Sequence, residues 1–232
     1  MKRIVLISFG VAALLIATAS GSRSLWISGK SIVAQHLLES AWQLSQHGDV
    51  RKKPWPWADV TTVARLDVPS INASLVVLSD ASGEAMAFGP GLVAGNPDNA
   101  ARETIAVGGH RDTHLAFMEH LEIGSLLFLE SSNGTSYPYV LKDKKIVDSR
   151  THTISIATQQ AGLVLITCYP FSASQTGGPL RLVATALPLH TDTSTEPNTE
   201  SSKQLAEPLV GIITQGVGSR DNVKPAAENL LI

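Results

Sequence analysis

"GLVLITCYPF", residues 162–171, is the stretch whose reading decides the fold of this chain. Leu163 to Ile166 form an unbroken apolar run rich in β-branched residues, bounded by Gly162 and by the Tyr169-Pro170 step, so the segment reads as a strand. A proline restricts the residue before it and ends regular structure, which turns the chain away after Cys168. Cys168 closes the run, and it is the single cysteine of 232 residues.

The same texture extends on both sides of this strand, as short apolar runs punctuated by Gly, Pro, Asn and Asp. They are "VARLDVP" (63–69), "ASLVVLS" (73–79), "AMAFGPG" (85–91), "TIAVGGH" (104–110), "SLLFLES" (125–131), "YVLKDKKIVD" (139–148), "GLVLITC" (162–168) and "RLVATAL" (181–187). Short strands with turn signals between them predict an all-β barrel or sandwich. "HLAFMEHL", between the fourth and fifth runs, allows one helical turn or two. "GPGLVAGNP" (89–97) lacks the Lys-Ser/Thr of a phosphate loop and reads as a turn.

Ahead of the β region, Ser31 to Gly48 places Ile32, Leu37, Leu38, Trp42 and Leu44 at roughly helical spacing, with glycine as the stop. "RKKPWPWAD" (51–59) then breaks regular structure. Its Trp55 and Trp57 are candidates to clamp the segment onto the domain.

Lys2-Arg3 precede a charge-free stretch from Ile4 to Ser20, close to the lower limit of about 17 residues for a membrane-spanning helix. Basic residues before such a stretch hold the N-terminus in the cytoplasm and send the rest of the chain across. Ala17-Thr18-Ala19 offers a competing signal-peptide site. The continuing apolar Leu25-Trp26-Ile27 favours an uncleaved anchor. The expected organisation is a membrane anchor over 1–24, a juxtamembrane helix and linker over 25–53, the β-barrel over 54–188, and a Ser/Thr-rich disordered tail over 189–232. The expected location is the plasma (inner) membrane, single-pass, with the barrel on the extracytoplasmic, periplasmic side.

A net charge of −2 gives no basic footprint for nucleic acid. In an exported compartment cysteines usually pair, yet Cys168 has no partner in its own chain. It is a buried small hydrophobe, half of an intermolecular bridge, or a reactive thiol.

Three polar residues fall at expected strand ends: His110 closes "TIAVGGH", Cys168 closes "GLVLITC", and Arg181 opens "RLVATAL". A thiol attacks as thiolate and gains from a nearby cation. Histidine supplies that charge and can protonate a leaving amine. Arginine stays protonated, and its fork of donors suits a developing oxyanion. The set is sufficient for acyl transfer through a thioester. Spacing alone does not bring the three together in space.

"VGGHRDTH", "LVLITCYPF" and "GGPLRLV", in that order and preceded by "RKKPWPWADVTTVARLDVP", resemble the sortases, most of all the proteobacterial type with one N-terminal membrane segment. The similarity runs from Pro54 to Leu187. A Thr-Cys pair with a histidine roughly 60 residues upstream and an arginine about a dozen downstream is specific as a set. What the resemblance implies is an eight-stranded sortase β-barrel and a cysteine transpeptidase that needs no cofactor. Such an enzyme cleaves a Leu-Pro-x-Thr-Gly-like sorting signal of a partner protein after its threonine and passes the acyl group to an amine acceptor at the cell envelope. By motif, Cys168 matches the nucleophile, His110 the general acid and base, and Arg181 the oxyanion or substrate-binding arginine. Thr167 matches the motif threonine on the substrate-binding side. "ISIA" (154–157) falls where the resemblance puts the wall that reads the Leu-Pro part of the signal, with plain packing as the alternative. The family motif usually opens with Thr-Leu, and here Val164 precedes Leu165.

Two rival functions remain open on the residues. His110 and His114 stand four apart, which suits a metal-dependent hydrolase, although the Glu of H-E-x-x-H is missing. A non-catalytic exported β-domain, with Cys168 inert and buried, is the other. Asp112 is able to orient His110, but a turn role is more ordinary for it. Arg111 reads as a solvated loop charge or as a border of the substrate groove.

Overall fold

Most of the β-branched runs become strands. The computed structural model describes residues 33–46, 51–156, 159–173, 177–189 and the backbone of 210–214. In chain order the strands are β1 (Thr62–Val68), β2 (Ala73–Leu78), β3 (Gly91–Ala94), β4 (Thr104–Gly109), β5 (Leu126–Ser131), β6 (Ser136–Asp148), β7 (His152–Ile156), β8 (Gly162–Cys168), β9 (Leu180–Pro188) and β10 (Val210–Thr214). Eight of them close into a barrel in the order β1-β2-β3-β4-β8-β9-β6-β5, while β7 and β10 form a separate pair.

Alternation along β8 explains its unbroken apolar run. Leu163 and Leu165 point into the barrel and join Leu66, Val107, Leu129 and Leu141 in the central core. Val164 and Ile166 point outward, where Ile154 and Ile156 of β7 cover them together with Ala106 and Val183. A strand buried on both faces has no polar alternation to show. Each such side chain contributes about 1.5–3 kcal/mol by leaving water.

The third predicted strand is displaced. Ala85–Ala87 forms a 3-10 turn, and the strand is β3, inside the stretch that reads as a turn. The cause is a close approach: a Cβ on Gly91 would overlap the Asp80 carbonyl oxygen, so only glycine fits where β3 meets the chain leaving β2. That contact is slight, a single parallel pair Leu78↔Gly91, and β3 is held mainly by antiparallel pairing to β4.

"HLAFMEHL" yields one short 3-10 turn, Ala116–Glu119. Lys144 of β6 fastens it, with Nζ donating to the carbonyls of Met118 at 2.9 Å and Leu121 at 2.8 Å. Residues 33–46 form helix α1, which lays Ala34, Leu38, Ala41 and Trp42 against the outside of the barrel. Leu37 and Leu44, which fit the helical spacing, face solvent instead. Arg65 of β1 lies over the Trp42 ring and donates to Glu39. Trp55 meets Phe88 edge-on with centroids 4.9 Å apart, whereas Trp57 is 80% exposed and clamps nothing.

Within 189–232, the stretch that reads as a disordered tail, Val210–Thr214 pairs antiparallel with β7 from Val210↔Ile156 to Thr214↔His152. An exposed strand edge offers unpaired backbone groups to any extended segment, whatever its composition. The N-terminal stretch predicted to cross the membrane lies outside the described residues. Among those described, no helix is long and apolar enough to do so.

Candidate active site

Strand pairing brings the three candidate residues to one edge of the barrel. β4 and β8 run parallel, in register from Thr104↔Gly162 to Gly109↔Thr167, so both strands end at the same level. His110 follows directly on β4, and Cys168 is the last residue of β8. β8 and β9 are antiparallel, with Cys168 directly opposite Arg181. His110, Cys168 and Arg181 all border one cavity of about 440 Å³, whose apolar walls include Met86, Leu92 and Ile166.

Cys168 is a free, half-buried thiol on the outward face of β8, the face of Val164 and Ile166. It is therefore not sealed in the core. His110 is exposed. Arg181 is steadied by its own strand entry, with Nη1 donating to the carbonyls of Gly178 at 2.7 Å and Leu180 at 3.0 Å. Its Nε is buried and has no hydrogen-bond partner among the described residues. A buried guanidinium N–H without an acceptor is costly alone, and the residue as a whole borders the cavity, where a guanidinium suits an anionic or carbonyl oxygen.

Thr167 borders the same cavity, but its hydroxyl is already committed: buried, it donates to the Gly109 carbonyl at 2.8 Å. This bond ties the end of β8 to the end of β4, immediately before Cys168 and His110. Ile154 and Ile156 of the "ISIA" segment are packing residues of the outer core.

His114 sits near His110 without sharing a ligand site. Its ring hydrogen-bonds the Phe88 backbone, and burial, followed by the neighbouring His110 charge, holds its pKa below the ordinary histidine value. Gln35 of α1 donates to the same Phe88 carbonyl at 2.7 Å. Among the described residues no group of three or more His, Cys, Asp or Glu side chains is arranged to hold a metal ion.

Arg111 departs from the solvated reading: it is only 5% exposed. Its Nη2 donates to the Ala173 carbonyl at 3.0 Å, and its Nε faces Asp112 Oδ1 at 3.3 Å. Asp112 is thus engaged by Arg111. Nothing in a charged loop residue after a strand announces such burial, because the burying segment lies some sixty residues later in the chain, as the roughly 60-residue motif spacing requires.

The arrangement can support acyl transfer, with a thiol, a titratable histidine and a fixed cation around one cavity and no metal needed for that chemistry. The model of the sortase domain matches residues 66–189, more than half of the chain. Over 110 residues the chain is 34% identical to sortase D of Bacillus subtilis (strain 168), which is 46% of this chain and 54% of that protein. The matched region thus spans about half the length of this curated relative. Among solved structures, a Clostridium perfringens sortase D5 transpeptidase superposes with a TM-score of 0.51 at 13% identity, covering 68% of this chain and 99% of that one. Sortase A from Corynebacterium diphtheriae gives 0.48 at 16% identity, over 70% and 86%. At 13% identity the likeness to the D5 transpeptidase speaks to the fold alone.

Proposed function

The chain belongs to the sortase family, and from that membership we propose that it is a cysteine transpeptidase, anchored in the membrane by its N-terminal stretch, that acts on a partner protein carrying a Leu-Pro-x-Thr-Gly-like sorting signal. The observation that carries the reading is the convergence of His110, Cys168 and Arg181 on one cavity through the registers of β4, β8 and β9.

In this mechanism the signal lies extended in the cavity and the Cys168 thiolate attacks the threonyl carbonyl carbon. Negative charge collects on the carbonyl oxygen, where the Arg181 guanidinium opposes it. The carbon–nitrogen bond breaks as protonated His110 gives its proton to the departing glycine amine. That leaves a thioester on Cys168 and a neutral imidazole. An incoming primary amine, of the cell envelope, loses a proton to His110 as it attacks the thioester, and the thiolate returns. The acyl group has moved from one nitrogen to another with no net redox change.

The partly exposed thiol at a cavity argues against a binding module with an inert, buried cysteine. The metal-hydrolase reading is the weaker rival, because the His110/His114 pair lacks the Glu of H-E-x-x-H and His110 follows a strand rather than lying on a helix.

The test is intact-mass spectrometry of the full chain incubated with a pool of Leu-Pro-x-Thr-Gly peptides. The expected result is a covalent gain equal to the peptide acyl group up to threonine, released by an added amine and missing in Cys168→Ala. Arg181→Lys should form the adduct about 100-fold more slowly, the scale of losing one oxyanion donor. An adduct on the Cys168→Ala chain would sink the assignment of the nucleophile.

A further inference from the structure

We propose that Arg111 is a positioning residue for the His110–Cys168 pair, a role that rests on the transpeptidase reading above. The starting point is the energetic oddity of a 5% exposed guanidinium in a loop. Burying a cation is unfavourable unless its donors are satisfied, and an exposed Arg–Asp pair contributes little. An interaction with Asp112 alone therefore gives no reason for Arg111 to turn inward, since Asp112 is itself exposed.

What turning inward achieves is the bond from Nη2 to the Ala173 carbonyl. Arg111 is the residue after His110, and Ala173 lies on the segment that leaves β8 just after Cys168. The contact joins the chain departing from β4 to the chain departing from β8. On the strand side the same two chains are already joined by the Thr167 hydroxyl and the Gly109 carbonyl. His110 and Cys168 lie between these two ties, one on each chain. Beyond the strand ends, the Leu115 N–H on the His110 carbonyl and the Tyr169 N–H on the Leu180 carbonyl hold each chain to its own side, whereas the Arg111 bond spans the gap between the two chains. The second tie fixes the gap between the thiol that carries the acyl group and the imidazole that gives and takes the proton. A planar fork suits this better than an ammonium, because it reaches Ala173 and Asp112 at once in a fixed plane.

Misplacement by about 1 Å costs on the order of 100-fold in rate, so a residue that touches no substrate can still govern turnover. The substrate-binding walls, by contrast, are built from other elements, Met86 and Leu92 among them. Loss of Arg111 should then lower kcat and leave KM nearly unchanged.

The test compares full-length Arg111→Gln and Arg111→Lys with the parent chain, each kept well below its own thermal midpoint and checked for the folded signal. The expected result is a kcat for thioester formation about 100-fold down in Arg111→Gln at similar KM. Arg111→Lys, which keeps one donor toward Ala173, should fall between the two. A folded Arg111→Gln chain with unchanged kcat, or with its whole loss in KM, overturns the proposal, as does a Lys variant no better than Gln. Should Arg111→Gln fail to fold, Arg111→Lys decides alone: kcat lowered at constant KM supports the role, and unchanged kcat overturns it.

If the parent chain forms no thioester with any signal peptide, the rate of Cys168 alkylation by iodoacetamide at one pH replaces kcat as the readout. Slower alkylation in the folded variants then sustains the positioning role while the proposed substrate falls. Equal rates remove the positioning role.

Discussion

His114 shows how much one half-buried ring can attach to a site without entering it. It lies in the loop after His110, and its hydrogen bond to Phe88 holds that loop against the turn that ends at Phe88. Burial and the nearby His110 charge both disfavour its protonated form, so its pKa in the folded chain lies below the ordinary value of 6.5. Between the folded and unfolded values the unfolded chain binds more protons, which makes stability rise with pH through that window. The stabilisation is complete above about 6.5 and declines as pH falls below it. Urea unfolding of the full chain at pH 5 and pH 7.5 should therefore show lower stability at pH 5, and His114→Gln should shrink the difference. An equal difference in the variant would mean that His114 titrates alike in both states.

At the scale of elements, the decisive joint is the parallel pair β4 and β8, because it alone sets His110 level with Cys168. Thr167→Val keeps the shape of the side chain and strands the Gly109 carbonyl without its donor. Leaving a buried acceptor unpaired costs about 1–3 kcal/mol, which urea denaturation would detect. Thioester formation should slow in the folded Val variant and stay near normal in Thr167→Ser, which keeps the hydroxyl. A Val variant as fast as the parent would show that the strand ladder holds the joint unaided. This joint also marks what could be read in advance. β8 was legible because it is buried on both faces and its four core residues are contiguous. β3 was not, because its start is set by the close approach of Gly91 to Asp80, a contact between segments that a local pattern does not encode. β10 is not legible in the sequence, because its partner β7 supplies the reason for it to be extended. His110, Cys168 and Arg181 were legible as residue types at strand ends and as a family-like set, but their meeting depends on barrel order. Arg111 reads as a solvated charge or a border of the groove, and not as a buried one, because its covering segment is distant in sequence.

On the scale of the whole molecule, the barrel closes through its own strands, and α1 is an addition to its outside. The family match begins at residue 66, beyond α1. The cluster that receives the helix joins Leu38 to Val60 ahead of β1, Leu78 at the end of β2 and Ala85 in the turn after it. None of these residues belongs to β4, β8 or β9, which carry the site. A closed barrel leaves no strand edge that α1 must cover, so the backbone ladder is complete without it. The connection that remains is Gln35 to Phe88, whose carbonyl is also held by His114. A chain shortened to begin at Arg51 should thus keep its β circular-dichroism signature and unfold cooperatively, at a lower temperature because the barrel face beneath Leu38 and Trp42 is exposed. Its kcat/KM for thioester formation should stay within about threefold of the parent, since a few tenths of a kcal/mol is all that an exposed hydrogen bond such as Gln35 to Phe88 is expected to transmit. A drop beyond tenfold in a cooperatively folded short chain would instead make α1 part of the machinery that sets the His110 loop, acting through Phe88 and His114.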